Sequence, residues 1–165
     1  MIHPYHPKDF FSILELINNA AQAYKGIIPA DRWHDPYMTE EDLIRQMAQG
    51  VQFWCYHDQE QIAGVMGIQD KKVVTLIRHA YVLTTHQQRG IGSQLLQHLS
   101  TLTTLPVLIG TWASAKWAIQ FYQKHGFRLL TVKEKDMVLR QYWNIPERQV
   151  ETSVVLANEK WKKIV

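Results

Sequence analysis

Between Pro7 and Tyr24, apolar residues fall at positions 10, 13, 14, 17, 20, 21 and 24, a spacing that predicts a helix with one buried face. Ile2 to Tyr5 before it reads as a short first strand. Thr39 followed by Asp42 has the form of an N-cap with a capping-box partner, and Gly50 stops this second helix. The period then changes. Val51 to Tyr56 and Ile62 to Ile68 are strand-like runs joined by the polar turn 57–61, which predicts an antiparallel hairpin, and Val73 to Leu83 follows as a third long strand. Helical spacing returns with Ile91, Leu95, Leu96, Leu99 and Leu102 after the opening Gly90-Ile91-Gly92. Pro106 to Gly110 predicts a short buried strand, and Ala113 to His125 a helix stopped by Gly126. Phe127 to Val132 and Val150 to Leu156 read as closing strands, with a helical segment at 134–147 between them. No repeat, low-complexity tract or linker interrupts the series, so the expectation is one mixed α/β (α+β) domain over residues 1–165.

Composition narrows the function. A chain of 165 residues buries roughly 70% of its unfolded surface. No apolar run approaches the ~18 residues of a membrane span, and the first residues lack a signal-peptide pattern. Cys55 is the single cysteine, which rules out an internal disulfide and suits a cytoplasmic location. The net charge is +3, with basic residues scattered except for Lys160, Lys162 and Lys163. That cluster reads as a solvated tail rather than a nucleic-acid surface, and a mildly basic chain suits an anionic cofactor. His3 and His6 have metal-like spacing but no further ligands in register, so no metal is expected.

The chemistry concentrates where a strand turns into a helix, at Tyr81 to Leu96. A helix opening leaves backbone N–H groups without partners at the positive end of the dipole, and glycine lets an anion come close. A Walker A loop is absent, and a dinucleotide fingerprint fails because Leu95 stands where a third glycine is required. Gln87-x-x-Gly90-x-Gly92 instead resembles the Q/R-x-x-G-x-G/A loop of the GNAT acyltransferase superfamily. Ala118-Ile119-x-x-Tyr122-x-Lys124-x-Gly126-Phe127 resembles the helix and Gly-Phe turn that lie beside the thioester in the same enzymes. The two motifs with the element order cover nearly the full chain.

The resemblance implies the GNAT fold: a mixed, mostly antiparallel sheet with splayed central parallel strands, flanked by helices. It implies acetyl-CoA as co-substrate, with pantetheine pairing to the backbone near Tyr81 and Val82. Gln87, Gln88, Arg89, Gly90, Ile91, Gly92 and Ser93 would hold the pyrophosphate. Arg89 either adds charge there or faces solvent, and Ser93 either binds phosphate or caps locally. Tyr122 would meet the departing thiolate, the alternative being a core tyrosine. The implied reaction is direct attack by a primary amine of a small molecule or peptide, and Cys55 lies away from the motifs. A non-catalytic acetyl-CoA-binding regulatory domain is the competing reading, and a homodimer through the late strand and the 134–147 insertion is a further expectation.

The chain also departs from its relatives. Ala115 stands where many have asparagine seven residues before the tyrosine, and Gly110 where some have a glutamate base. A lysine-like amine costs about 4.6 kcal/mol to deprotonate at pH 7, against about 1 kcal/mol for an α-amino group, so a site without a base favours a water relay or a weakly basic acceptor. His34, Asp31 and Glu134 are the remaining base candidates. Period-2 alternation places Val74, Leu76, Arg78, Ala80 and Val82 on one strand face and His79 and Tyr81 on the other. Arg78 then either recognises an acceptor carboxylate or forms a salt bridge, and His79 is either a packed histidine or the base. Trp33 and His34 in the 25–38 loop, with Tyr37, and Trp112 at the start of the tyrosine helix, form an aromatic acceptor wall or cover the core.

Overall fold

A computed structural model of the chain describes residues 1–162, so Lys163 of the basic cluster lies outside the described residues. The strands are β1 (Ile2–Pro4), β2 (Gln52–Asp58), β3 (Gln61–Asp70), β4 (Thr75–Val82), β5 (Val107–Trp112), β6 (Arg128–Leu129) and β7 (Ser153–Ala157). The helices are α1 (Phe10–Ala21), α2 (Glu40–Ala48), α3 (Ile91–Ser100), α4 (Lys116–Lys124), α5 (Val132–Tyr142) and α6 (Glu147–Glu151). All seven strands join one sheet in the order β1-β2-β3-β4-β5-β7-β6. Every neighbouring pair is antiparallel except β4 with β5. No described helix is long and apolar enough to cross a membrane.

Helices cover both faces of the sheet. On the back face, Ile91, Leu95, Leu96 and Leu99 of α3 and Ile119 of α4 bury against Met66, Ile68, Ile77 and Ile109. Gly64 permits this closeness, because a Cβ there would stand 2.6 Å from Ile91 Cγ2. On the front face, Ile13, Leu16 and Ile17 of α1 and Leu43 of α2 pack on Phe53, Cys55 and Val65. Val138 and Leu139 of α5 and Val150 of α6 complete the front over Leu76, Leu108 and Val155. Thr39 begins α2 as its spacing predicts, its Oγ1 accepting the Asp42 N–H at 3.0 Å while Asp42 accepts the Thr39 N–H at 3.1 Å.

Four local expectations are corrected. The alternation along β4 breaks: Gly67 pairs with Arg78 and Val65 with Tyr81, so two residues of β4, His79 and Ala80, stand opposite Met66 alone. His79 takes φ +54, the left-handed turn of a β-bulge. Ala80 and Val82 therefore share the back face with Ile77, while Tyr81 packs on the front, the face of its partner Val65. The closing strand stops at Leu129 instead of Val132, because Thr131 caps α5 by accepting the Glu134 N–H at 3.2 Å. The segment after it holds two helices, with Pro146 as the N-cap of α6 rather than its end. Trp112 closes β5, and the tyrosine helix starts only at Lys116.

Candidate active site

The parallel strands β4 and β5 stay paired for only three registers, Thr75↔Val107 through Ile77↔Ile109. Beyond them β4 continues with β3 alone, and β5 with β7 alone. The wedge between them opens into a cleft of about 710 Å³. On the back side its lining includes Gln87, Gln88 and Ser93 from the α3 opening and Tyr122 from α4. On the front side it includes Arg78, Tyr81, Gly110 and Trp112, with Tyr24 and Tyr37 from the segment after α1 and Trp143 from the end of α5. Val82, Gly90, Ile91 and Gly92 line it as well.

The α3 opening has the form an anion site requires. Gly90 is the N-cap, at φ +77, with no side-chain cap, and the first intrahelical bond runs from the Gln94 N–H to the Gly90 carbonyl at 3.0 Å. The N–H groups of Ile91, Gly92 and Ser93 are thus the orphan donors of the first turn. Gln88 also turns back on itself at φ +64. Buried Ile91 anchors this turn in the core. Gly92 serves packing: a Cβ there would meet the Phe121 ring of α4 at 3.3 Å. Arg89 is turned away, with Nη1 3.5 Å from Asp58 Oδ2 at the end of β2, and is not part of the cleft lining. Lys124 of α4, quoted in the sequence motif without a role, lines the cleft instead.

Tyr122 divides between core and cleft. Its ring is 6% exposed among Ile77, Ile109 and Ile119, and lies edge-on to Phe121 and Phe127. Its hydroxyl makes no hydrogen bond to another described residue, and burial pushes its pKa up, so the phenol is protonated at neutral pH. Burial raises Tyr24 to about 12 and Tyr81 well above its ordinary value, with the Tyr122 hydroxyl adding to both, and all three phenols line the cleft.

The front wall is aromatic. The Tyr37 hydroxyl accepts the Trp112 Nε1–H at 2.9 Å, Trp33 stacks on Tyr37 with centroids 5.8 Å apart, and Tyr24 stacks on Trp117 at 6.0 Å. Trp33 therefore supports the wall from behind, outside the cleft lining. His34 is exposed beside Tyr37, with Nδ1 2.8 Å from the Pro36 carbonyl oxygen, and also lies outside the lining. Neither acidic base candidate reaches the wedge. Asp31 accepts two bonds from Arg148, at 2.9 and 3.2 Å, which hold its carboxyl below the usual range. Burial raises Glu134, but bonds from Trp161 and Thr131 and the nearby Arg128 more than offset that and lower it.

Among the described residues no aspartate or glutamate lines the cleft. At Gly110 the reason is steric, since a Cβ would stand 3.2 Å from Trp143 Cζ2. The Trp143 indole thus fills the place where a longer side chain on β5 would project. His79 lines the cleft with Nε2 3.0 Å from Gln46 Oε1 of α2, and burial together with the Arg78 charge pulls it down to about 3. It is neutral at pH 7, and too weak a base to hold a proton there.

A separate cluster sits near the far edge of the sheet. His3 on β1, Asp9 before α1 and Cys55 on β2 bring one potential ligand atom each within 4.8 Å of one another, whereas His6 is not in the group. Asp9 accepts the His6 N–H at 2.9 Å, and burial raises the Cys55 thiol to about 12.

The family model for the acetyltransferase (GNAT) domain matches residues 49–129, which hold β2 to β6, the α3 opening and Tyr122. The fold is similar to that of a GNAT-family acetyltransferase from Staphylococcus aureus Mu50, with TM-score 0.70 at 18% identity over 96% of this chain and 97% of that one. It is similar to a PaiA N-acetyltransferase from Thermoplasma acidophilum in complex with coenzyme A, with TM-score 0.72 at 14% identity over 98% of each chain. A GNAT-family acetyltransferase from Elizabethkingia anophelis with acetyl-CoA bound aligns at TM-score 0.61 and 24% identity over 96% of this chain and 97% of that one. The domain match is thus centred on the wedge, and the fold is similar to that of GNAT-family acetyltransferases over nearly the whole chain.

Proposed function

We propose that the protein is an acetyl-CoA-dependent N-acetyltransferase, in which a primary amine attacks the thioester directly within the β4–β5 wedge. The observation that carries this is the conjunction, in one cleft, of an uncapped α3 opening and a Tyr122 side chain with no hydrogen-bond partner among the described residues. The amides of Ile91, Gly92 and Ser93 suit a diphosphate, and Lys124 adds a positive side chain to the same cleft lining. The diverging edge of β4 at Tyr81 and Val82 suits the peptide-like pantetheine as an added strand. Solved structures of the same fold with coenzyme A or acetyl-CoA bound support acetyl-CoA as the co-substrate.

Tyr122 supplies a hydrogen bond to the thiolate as it departs. A free phenol is a weaker acid than a thiol by about 1.5 units, so complete proton transfer is uphill by about 2 kcal/mol. Burial disfavours both anions in the wedge, and donation without transfer remains the economical role. Tyr122→Phe is expected to lower kcat about 100-fold while the acetyl-CoA Kd stays within about 2-fold, read by steady-state kinetics and calorimetry. Unchanged kcat contradicts the role. A cleft without a carboxylate favours a second reading, an acetyl-CoA-binding regulatory domain. Thiol release against a panel of amines separates the two, because a purely regulatory domain binds acetyl-CoA and releases none.

A further inference from the structure

Arg78 is the one guanidinium in the cleft lining, and it has no anionic partner among the described residues. Its single side-chain hydrogen bond runs from Nη1 to Gln69 Oε1 at 3.3 Å. Gln69 is 3% exposed and is itself fixed, donating Nε2 to the Gln49 carbonyl at the C-cap of α2 at 2.8 Å. The guanidinium is thus aimed by a buried amide, and the negative end of the α2 dipole lies behind it. Burial alone draws Arg78 down to about 10, with no opposing acid to hold it up. A cation so placed is stabilised by an anion that arrives from outside.

Geometry excludes the diphosphate as that anion. Arg78 pairs with Gly67, whose missing Cβ faces Val51 and Phe53 on the front of the sheet. The α3 amides belong to the back face, where Ile91 packs with Ile77. Arg78 is also the first β4 residue beyond the last β4–β5 pair, at the apex of the wedge.

We propose that Arg78 binds the carboxylate of the acceptor, and that the acceptor is a small primary amine carrying one carboxylate and an apolar or aromatic body. The charge count favours a carboxylate over a phosphate: Arg78 offers one positive charge, and His79 beside it is neutral at pH 7. The planar guanidinium fork also matches a carboxylate's two oxygens. Tyr24, Tyr37, Trp112 and Trp143 line the same side and suit the apolar body. The inference rests on the acetyltransferase reading above.

Thiol release from acetyl-CoA is measured with matched amines: L-phenylalanine, L-phenylalaninamide and phenethylamine, then L-leucine and isoamylamine. The expected result is a kcat/KM preference of about 10- to 100-fold for the carboxylate-bearing member, the range of a hydrogen bond to a charged group. Arg78→Gln brings that ratio to about 3-fold or less, mainly through KM, and Arg78→Lys restores part of it. A wild-type protein indifferent to the carboxylate, or an Arg78→Gln variant that keeps the preference, overturns the proposal. In parallel, 3-phenylpropionate is titrated into the coenzyme A-saturated protein. It is expected to bind the wild type at least 10-fold tighter than Arg78→Gln, and equal or absent binding overturns the proposal without reference to turnover. Failure of the acetyltransferase reading looks different: no binding of acetyl-CoA, or no thiol release with any amine.

Discussion

His79 meets two demands at one position. Its φ of +54 makes the bulge that turns Arg78 and Tyr81 to the front, and its imidazole is half-buried beside a guanidinium. The ordinary histidine pKa is about 6.5, and the folded value is about 3. Between those values the unfolded chain binds a proton that the folded chain refuses. Stability therefore rises with pH across this window and is lost progressively as pH falls below about 6.5. By pH 5 the loss reaches about 2 kcal/mol. Asparagine tolerates a left-handed φ and does not titrate, so His79→Asn is expected to flatten the decline between pH 7 and 5 in urea denaturation. An acid limb as steep as that of the wild type contradicts the assignment. This residue also marks what the sequence withheld. A strict period of 2 runs through Val73 to Leu83 unbroken on paper, because no glycine or proline flags the bulge. The alternation consequently put Arg78 with Ala80 and Val82, when it shares the front of the sheet with Tyr81.

Among the elements, the end of α5 and the middle of β5 depend on each other. Trp143 rests on Gly110, where a Cβ would press on the indole at 3.2 Å. Gly110→Glu would place a carboxylate where some relatives carry a base, but it must displace the indole. The expected cost is about 1–3 kcal/mol in chemical denaturation, largely recovered in Gly110→Glu with Trp143→Ala. Equal stability of Gly110→Glu and wild type contradicts the packing. Local elements were legible because their signals are local: the capping box at Thr39, the glycine opening of α3 and the tyrosine of α4 each occupy a few adjacent residues. The partners of Arg78 and Gly110 were not, since Gln69 and Trp143 reach them from other elements. The two readings of Arg89 stayed open for the same reason, because Asp58 reaches it from the end of β2.

For the whole molecule, the sheet separates two tasks. Its back face presents the α3 opening and Tyr122, its front face presents Arg78 and the aromatic wall, and the β4–β5 wedge joins them. The element order and the two motifs made the fold legible, and they implied the splayed parallel pair. The depth of the wedge depends on where pairing stops, after Ile77 and Ile109, which no short stretch of sequence encodes. The account's central claim is that the wedge receives a coenzyme A thioester. Isothermal titration of acetyl-CoA into protein that melts cooperatively tests it most directly. The account predicts saturable heat with one site per chain. A flat titration from folded protein contradicts it.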